Sequence, residues 1–596
     1  MNEVTALFLR RMQGPLFLII IVYSISIIGL VLIPGIDDNG NALHMSIFHA
    51  FYFVSYTATT IGFGEIPYTF TDAQRLWAIG IIYMTVISWF YALGTVITLF
   101  QDKTFLSERK KLKFKRHVNN IHRPYYVVCG FGETGKAVVN ALLKEHFGAV
   151  VIELLADITD RNLSDTLEYV PRLTADATEP EVLEYAGVHK DKCRGVIAVT
   201  ASDETNLKIA IISKLLHPDV TVICRSDNKE HEDNMLSFGT DHIINPFESF
   251  ASIFRMALHS PSMHLIYDWL TGAPNTSPGT PVQITSGHWI LSGYGRFGEQ
   301  LHKELRNRNI RTVIIDPKES TRSAFIKNKL PDDEFIIGTG TDAKTLTIAG
   351  INNAAGVIAG SDNDPNNLSL IMTARQLNKQ VFVVGRQNFD KNKLLYSKIN
   401  EHYRTETDNE TEELSTVAHL AMQPSEIIAR EIRAILIAPL LIDFIDHALH
   451  QDQQWANITI SRLSAVIGEN NPYIWTFRIT KDETPAIAQA LGFGRSIQLK
   501  YITRDPICLS KNLACVTLLL KRGDHIQLLP DEDTEIKALD EFLFCGLRKV
   551  KRSMSPILTD LSLLNYVMTS KNEPQSYIWK KITRYMQNQD RRSSTR

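Results

Sequence analysis

Two charge-free apolar runs within the first hundred residues constrain everything else the chain can become. Pro15 to Pro34 reads PLFLIIIVYSISIIGLVLIP, 20 residues, and Leu76 to Phe100 supplies 25 more. As helices rising 1.5 Å per residue, each reaches across about 30 Å of hydrocarbon. A cleaved leader is the competing reading of the first run, but its apolar stretch exceeds the roughly 7 to 15 residues of a leader and lacks a small-residue cleavage pattern. Both runs are therefore expected to span a bilayer. Between them Ile47 to Tyr56 is apolar and aromatic yet only about 10 residues long, too short to cross. It is expected to enter and leave on one side.

Flanking charge orients the hairpin. Arg10 and Arg11 precede the first run, residues 103–123 carry eight Lys/Arg against the single acid Glu108, and the intervening loop holds Asp37 and Asp38. An excess of Lys/Arg marks the cytoplasmic side, so both ends should face the cytoplasm. At 596 residues the chain has room for three or four domains, and most of it follows the second span. A net charge of −2 with 21% charged residues excludes a nucleic-acid binder driven by bulk basicity, and 44% hydrophobic content argues against long disorder. The six cysteines (Cys129, Cys193, Cys224, Cys508, Cys515, Cys545) show no C-x-x-C spacing and read as reduced core thiols of a cytosolic part, with no metal site.

The short middle run continues into Thr60-Ile61-Gly62-Phe63-Gly64, followed by Glu65. Non-helical backbone at membrane depth is tolerated only where protein buries it or it lines a water-filled cavity. Glycines there allow backbone conformations in which successive carbonyls point the same way. The five residues closely resemble the TVGYG filter of potassium channels, with Ile61 for Val and Phe63 for Tyr, and Glu65 where an Asp commonly follows. That resemblance implies K+ as the permeant ion and a homotetramer, since one chain contributes only one strand of carbonyls and cannot surround an ion.

The remainder is written twice. YYVVCGFGETGKAVVNALL (125–143) and HWILSGYGRFGEQLHKELR (288–306) align without gaps at an offset of 163. Each holds G-x-G-x-x-G, at Gly130, Gly132 and Gly135 and at Gly293, Gly295 and Gly298, with an acid 23 residues past the first glycine, Glu153 and Asp316. Later blocks match at an offset of 161, GVIAVTASDETNL with GVIAGSDNDPNNL, and VICR ending at Arg225 with VVGR ending at Arg386. A strand, glycines, a helix and an acid about 20 residues on form the dinucleotide fingerprint: helix N-terminal amides face phosphate and the carboxylate takes ribose hydroxyls. The alternative is that the glycines serve only close helix–strand packing in a domain without ligand.

LTADATEPEVLEYAGV (173–188) resembles the G-D-A-T stretch of the domains that regulate potassium conductance (RCK domains), with Asp176 and Ala177 where that family contacts adenine. Thr339 and Gly340 stand there in the second copy, so the first copy is expected to be the better nucleotide site. Arg225 is a candidate for a phosphate or for an acid on a neighbouring subunit, a surface ion pair being the alternative.

The whole pattern resembles a prokaryotic two-transmembrane potassium channel with tandem RCK domains, over roughly residues 124–550 for the RCK part. The resemblance implies a helical membrane pore (1–103), a linker (104–123), a first Rossmann-like RCK domain (124–285), a second RCK N-lobe with crossover helix (286–450), a strand-rich C-terminal lobe (451–550) and a basic tail (551–596). It further implies a gating ring that binds NAD or another adenine nucleotide, with Ca2+ as an additional candidate ligand, and a gate on the face of Leu93, Ile97 and Phe100. Residues 246–271 read as a helical connector, 272–281 as a linker, 401–413 as a polar loop and 425–450 as one long crossover helix. Residues 101–123 are expected to lie near the inner leaflet without packing into a core, and the tail to be solvated. Two other functions compete: a nucleotide-binding regulatory subunit of a potassium transporter, which leaves the filter idle, and a membrane-tethered dehydrogenase. No Cys/His or Ser/Tyr/Lys constellation suits hydride transfer, so no enzyme activity is expected.

Overall fold

The computed structural model describes residues 3–36, 41–155, 169–272, 286–329, 331, 333–388, 420–468 and 472–571. It divides into an N-terminal unit, essentially residues 1–122, and a second unit holding nearly all of the rest.

The N-terminal unit is helical. Helix Glu3–Leu32 starts ahead of Pro15 and ends before Pro34, and helix Asp72–Gln101 starts at a Thr71/Gln74 capping box, so both are longer than their apolar runs. Each has a stretch long and apolar enough to cross a bilayer, Phe8–Leu32 and Asp72–Gln101. Their contact is close: Gly29 lies against Trp77, where a Cβ would come within 2.2 Å of the indole, and the Trp77 Nε1 donates to the Ser26 carbonyl at 3.3 Å. Arg11 pairs with Asp102 at 2.9 Å, joining the start of the first span to the end of the second. Helix Ile47–Ala58 packs inside the hairpin through Ala50 and Val54, against Leu30 and Ile81. The two-residue strands β1 (Gly35–Ile36) and β2 (Ala42–Leu43) pair beside it. Large apolar side chains such as Phe17, Ile20, Phe48, Leu76 and Phe90 stay exposed, as a surface made for lipid or for other copies would be.

One linker expectation is corrected. Residues 103–119 form a helix with Phe105, Phe114 and Val118 buried, because Phe114 and Val118 share a face at i, i+4 and so give the basic segment an apolar side.

In the second unit β3 (Tyr125–Cys129), β4 (Gly148–Glu153), β5 (Arg172–Thr174), β6 (Cys193–Ala198), β7 (Thr221–Arg225) and β8 (His242–Ile244) form a parallel sheet in the order β5-β4-β3-β6-β7-β8. The second copy repeats it with β9 (Trp289–Ser292), β10 (Thr312–Asp316), β11 (Glu334–Ile337), β12 (Gly356–Ala359), β13 (Phe382–Arg386) and β14 (Leu420–Met422), ordered β11-β10-β9-β12-β13-β14. Both are doubly wound Rossmann sheets. Every residue of β3 and β4 is buried, as expected for strands covered by helices on both faces, and each Val or Ile so buried contributes about 1.5–3 kcal/mol. Connector 246–271 is helical as expected but in two pieces, Pro246–His259 and Pro261–Thr271.

The crossover helix departs from expectation in the same way. It breaks into Pro424–Ile437 and Leu440–Ala448, since Pro439 lacks an amide and disfavours helical backbone at Ala438. The C-terminal lobe has an antiparallel sheet of β15 (Tyr473–Arg478), β16 (Cys515–Arg522), β17 (His525–Leu528) and β18 (Glu541–Gly546), ordered β15-β18-β16-β17, but its first stretch is helix Gln453–Ile467. Strands β16 and β17 form a hairpin turning at Gly523. A solvated tail from residue 551 is overturned: helices Arg548–Thr559 and Leu561–Thr569 bury Val550, Met554, Ile557, Leu564 and Val567 in the lobe core. Helical spacing of those apolar residues outweighs the basic composition. Linker 273–281, loop 401–413 and residues 572–596 of the tail lie outside the described residues.

Candidate functional site

Two sites emerge, one in each unit. In the N-terminal unit helix Ile47–Ala58 ends at Thr59, whose hydroxyl donates to the Ser55 carbonyl at 2.9 Å. The next amides fold back onto the helix end: Thr60 N to Thr57 O at 3.1 Å, Ile61 N to Tyr56 O at 3.1 Å and Gly62 N to Tyr56 O at 3.4 Å. Left-handed φ recurs at Thr60 (58°), Gly62 (63°) and Gly64 (72°), an every-second-residue pattern that a plain turn does not need. Glycine suits two of the three positions; Thr60 takes the strain of the third. With their amides engaged by the helix, the carbonyls of residues 60–62 accept no hydrogen bond from a described residue.

Tyrosines hold the far end of this strand. Tyr52 Oη donates to Glu65 Oε2 at 3.0 Å and Tyr56 Oη to the Glu65 carbonyl at 2.9 Å, while Phe63 meets the Tyr56 ring edge-on at 6.3 Å. Glu65 therefore has its own brace in place of the shorter Asp. Leu93, Ile97 and Phe100 are all about half exposed on one face of the second span, away from its packed residues Ile81, Thr85, Ser88 and Ala92.

The second site is a cleft of about 520 Å³ at the C-terminal edge of the first Rossmann sheet, lined among others by Gly130, Gly132, Glu153, Asp176, Ala177 and Arg225. Gly135 lies just beneath: a Cβ there would stand 2.0 Å from the Gly130 carbonyl, so its role is close helix–loop packing. Gly130 takes φ 98°. Glu153 is 8% exposed and accepts from the amides of Phe131 (2.5 Å) and Leu155 (3.0 Å), which clamps the glycine loop and leaves lone pairs facing the cleft edge. Asp176 accepts from the amide and hydroxyl of Thr178, both at 2.8 Å. Arg225 pairs through two nitrogens with Asp227 at 3.0 Å.

Sequence reading missed one wall. Arg386, Asn388, Pro424 and Ser425 of the second copy also line the first cleft, more than 160 residues away in the chain. The repeat alignment pairs Arg386 with Arg225 but carries no sign of which cleft either reaches.

The second copy preserves the loop but surrounds it with different side chains. Gly293 has φ 95°, a Cβ on Gly298 would lie 2.2 Å from the Gly293 carbonyl, and Asp316 accepts from Tyr294 N (2.7 Å) and Lys318 N (2.8 Å). Yet Arg296, first residue of the helix after the glycines, contacts Asp227 at 3.4 Å and lies over Phe247 at 5.3 Å, and Phe297 is fully buried against Phe250. Gly340, beside Thr339, is packed so tightly that a Cβ would meet Leu370 at 2.4 Å and Ser292 at 2.5 Å.

All six cysteines are free thiols, and burial pushes Cys193, Cys224 and Cys515 up to about 12, which keeps them protonated. Among the described residues no group of three or more His, Cys, Asp and Glu is placed to hold a metal ion.

Comparison with known proteins agrees with this division. Residues 16–102 match the ion channel family, and residues 126–246 and 289–403 match the TrkA-N domain. Potassium channel protein 1 of Methanocaldococcus jannaschii is 27% identical over 227 residues, 37% of this chain and 65% of that protein. An uncharacterized protein of Methanothermus fervidus is 28% identical over 246 residues, 41% of this chain and 37% of that one. The voltage-gated potassium channel Kch of Escherichia coli is 28% identical over 212 residues, 33% of this chain and 48% of its own. The chain thus spans from about a third to about two thirds of the length of these relatives. Among solved structures, the GsuK channel bound to NAD covers 93% of this chain and 99% of its own at 14% identity, with a TM-score of 0.43.

Proposed function

We propose that this chain, which joins an ion channel domain to two TrkA-N domains, is the subunit of a homotetrameric potassium channel controlled by an adenine nucleotide in the first Rossmann cleft. One observation carries the reading: the left-handed φ at Thr60, Gly62 and Gly64 on a short helix enclosed between two spans. Four such strands around an axis replace the hydration shell of K+ with carbonyl oxygens. Both chain ends lie in the cytoplasm, in keeping with the Lys/Arg excess at residues 103–123 and with the Arg11–Asp102 pair on one side of the hairpin.

In the cleft, phosphate lies at the N-terminus of helix Glu133–Lys144, ribose hydroxyls at Glu153 and adenine at Asp176 and Ala177. NAD is the first nucleotide to try. Occupancy shifts the cytosolic domains and pulls, through helix Lys103–Asn119, on the inner face of Leu93, Ile97 and Phe100. A helix transmits such a pull more stiffly than a slack linker does.

Potassium flux from liposomes holding the purified protein, with and without NAD, tests the proposal. Flux of K+ over Na+ is expected, lost in Gly62→Ala, whose Cβ would strain a left-handed position and crowd the pore. Flux that stays K+-selective in a folded Gly62→Ala tetramer would overturn the pore assignment. Nucleotide binding without any flux would instead favour a regulatory subunit of a transporter.

A further inference from the structure

A second cavity, of about 500 Å³, lies at the C-terminal end of the helix whose N-terminus faces the nucleotide cleft. It is nearly as large as that cleft and has no part in the function proposed above. Its walls come from the end of helix Glu133–Lys144, the end of helix Pro261–Thr271, helix Pro424–Ile437 with Ala438 and Leu441 across its break, the start of the first strand of the C-terminal lobe, and Arg548 at the start of helix Arg548–Thr559. Any ligand there touches both Rossmann copies' connecting helices and the lobe at once.

The charges are unbalanced. The lining holds Lys144, Arg430, Arg433 and Arg548 against a single acid, Glu145. Arg430 is neutralised by Asp268 at 2.7 Å and Glu426 at 3.5 Å. Arg433 has no ion pair with a described residue; it is half-buried and donates to the carbonyls of Thr271 and Gly272. Burial lowers its pKa from the ordinary arginine value, with Glu145 partly opposing the shift. Arg548 likewise pairs with no described acid and lies over the Tyr473 ring at 5.5 Å, with Lys551 at 5.7 Å. Two lining donors, Trp269 Nε1 and Arg430 Nε, are buried without a hydrogen-bond partner among the described residues, and Trp269 is only 3% exposed. Buried donors are nearly always paired, so two in one wall point to an acceptor that enters it.

Arginine forks match phosphate geometry, and Trp269 and Tyr473 add aromatic surface beside them. We propose that this cavity binds a small organic phosphate bearing a planar ring, its phosphate held by Arg433 and Arg548 and its ring against Trp269 and Tyr473. Bound there, the ligand ties the C-terminal lobe to the first Rossmann domain at the Ala438–Pro439 break, and so acts as a second regulator of the cytosolic unit. The inference does not depend on ion conduction or on the nucleotide cleft.

Calorimetric titration of the full-length protein in detergent with phenyl phosphate, and separately with inorganic phosphate, tests it. Phenyl phosphate is expected to bind at millimolar concentration or below and more tightly than inorganic phosphate. Arg548→Gln, at an exposed position that should not disturb folding, is expected to weaken it about tenfold, the size of one charged hydrogen bond. Tyr473→Leu should reduce the preference for the ring, and Glu153→Ala in the nucleotide cleft should leave binding unchanged. Equal affinity in wild type and Arg548→Gln, no heat with phenyl phosphate, or loss of binding in Glu153→Ala would each overturn the assignment.

Discussion

The two Rossmann copies share strand order, glycine spacing and the acid after the second strand, yet they treat the space above the glycines differently. Around the first loop stand Glu133, Thr134 and, from across the chain, Asn388 and Ser425. The corresponding positions around the second are Arg296, Phe297, Asp227 and Phe247, a cation, an acid and two rings that occupy one another. Backbone geometry is nearly the same in both, as the paired φ values of Gly130 (98°) and Gly293 (95°) attest. Copies with one backbone thus differ in the side chains above the glycines, some on the loop itself and some brought in by the other copy. Beneath the loops they differ again. The first has Phe131 over Val139; the second has Tyr294, whose hydroxyl bonds His302 at 2.8 Å, and His302 in turn meets Asp333 at 3.0 Å. All three of the latter are buried.

The largest expected effect separates the acids. Glu153→Ala should cost about 1.5–3 kcal/mol of nucleotide affinity, roughly 13- to 160-fold, through lost charged hydrogen bonds, while Asp316→Ala leaves affinity intact. Calorimetry with NAD and ADP reads both. If Asp316→Ala abolishes binding and Glu153→Ala does not, the copies have been assigned the wrong way round.

Next comes the polar relay present only in the second copy. His302→Val, which imports the residue of the first copy, removes a partner from both Tyr294 and Asp333 and should destabilise the protein by about 1–3 kcal/mol. Adding Tyr294→Phe should restore part of this, since one of the two groups that lost His302 is then gone. Denaturant unfolding of the single and double variants decides, and a double variant no better than the single one would remove the relay as the cause.

The third test attempts to erase the difference. Arg296→Glu with Phe297→Thr gives the second loop the residues of the first, and a second nucleotide binding event is expected in calorimetry, at least about tenfold weaker than the first because Asp227 and Phe247 remain. Unchanged stoichiometry would place the block elsewhere.

The smallest effect lies in the helices Pro246–His259 and Pro424–Ile437, where Glu431 of the latter stands at the position Ile253 takes in the former. Burial pushes the Glu431 carboxyl up to about 7 from its ordinary 4.5, partly offset by a hydrogen bond from Ser249. Between those values the folded state holds the proton more tightly than the unfolded chain does. Stability should therefore fall as pH rises from about 4.5 through 7. Glu431→Gln should flatten that part of the melting-temperature profile; an unchanged slope would show that other groups set it.

What the sequence by itself determined is whatever depends on neighbours a few residues apart. Length and lack of charge mark the two spans, Gly62 and Gly64 mark the unusual backbone between them, and strand–glycine–helix order with an acid 23 residues on marks both Rossmann units. Tertiary structure alone decided where distant segments meet: that Arg386, Asn388 and Ser425 complete the first cleft, that Arg296 of the second glycine loop meets Phe247, and that residues 548–569 fold onto the C-terminal lobe. Composition misled at the tail and the linker, where a few apolar residues at helical spacing outweigh many charges that need only face water. Local pattern fixes the backbone conformation of each element, whereas what lines a cleft depends on packing between elements far apart in the chain, and no spacing rule in a single chain records it.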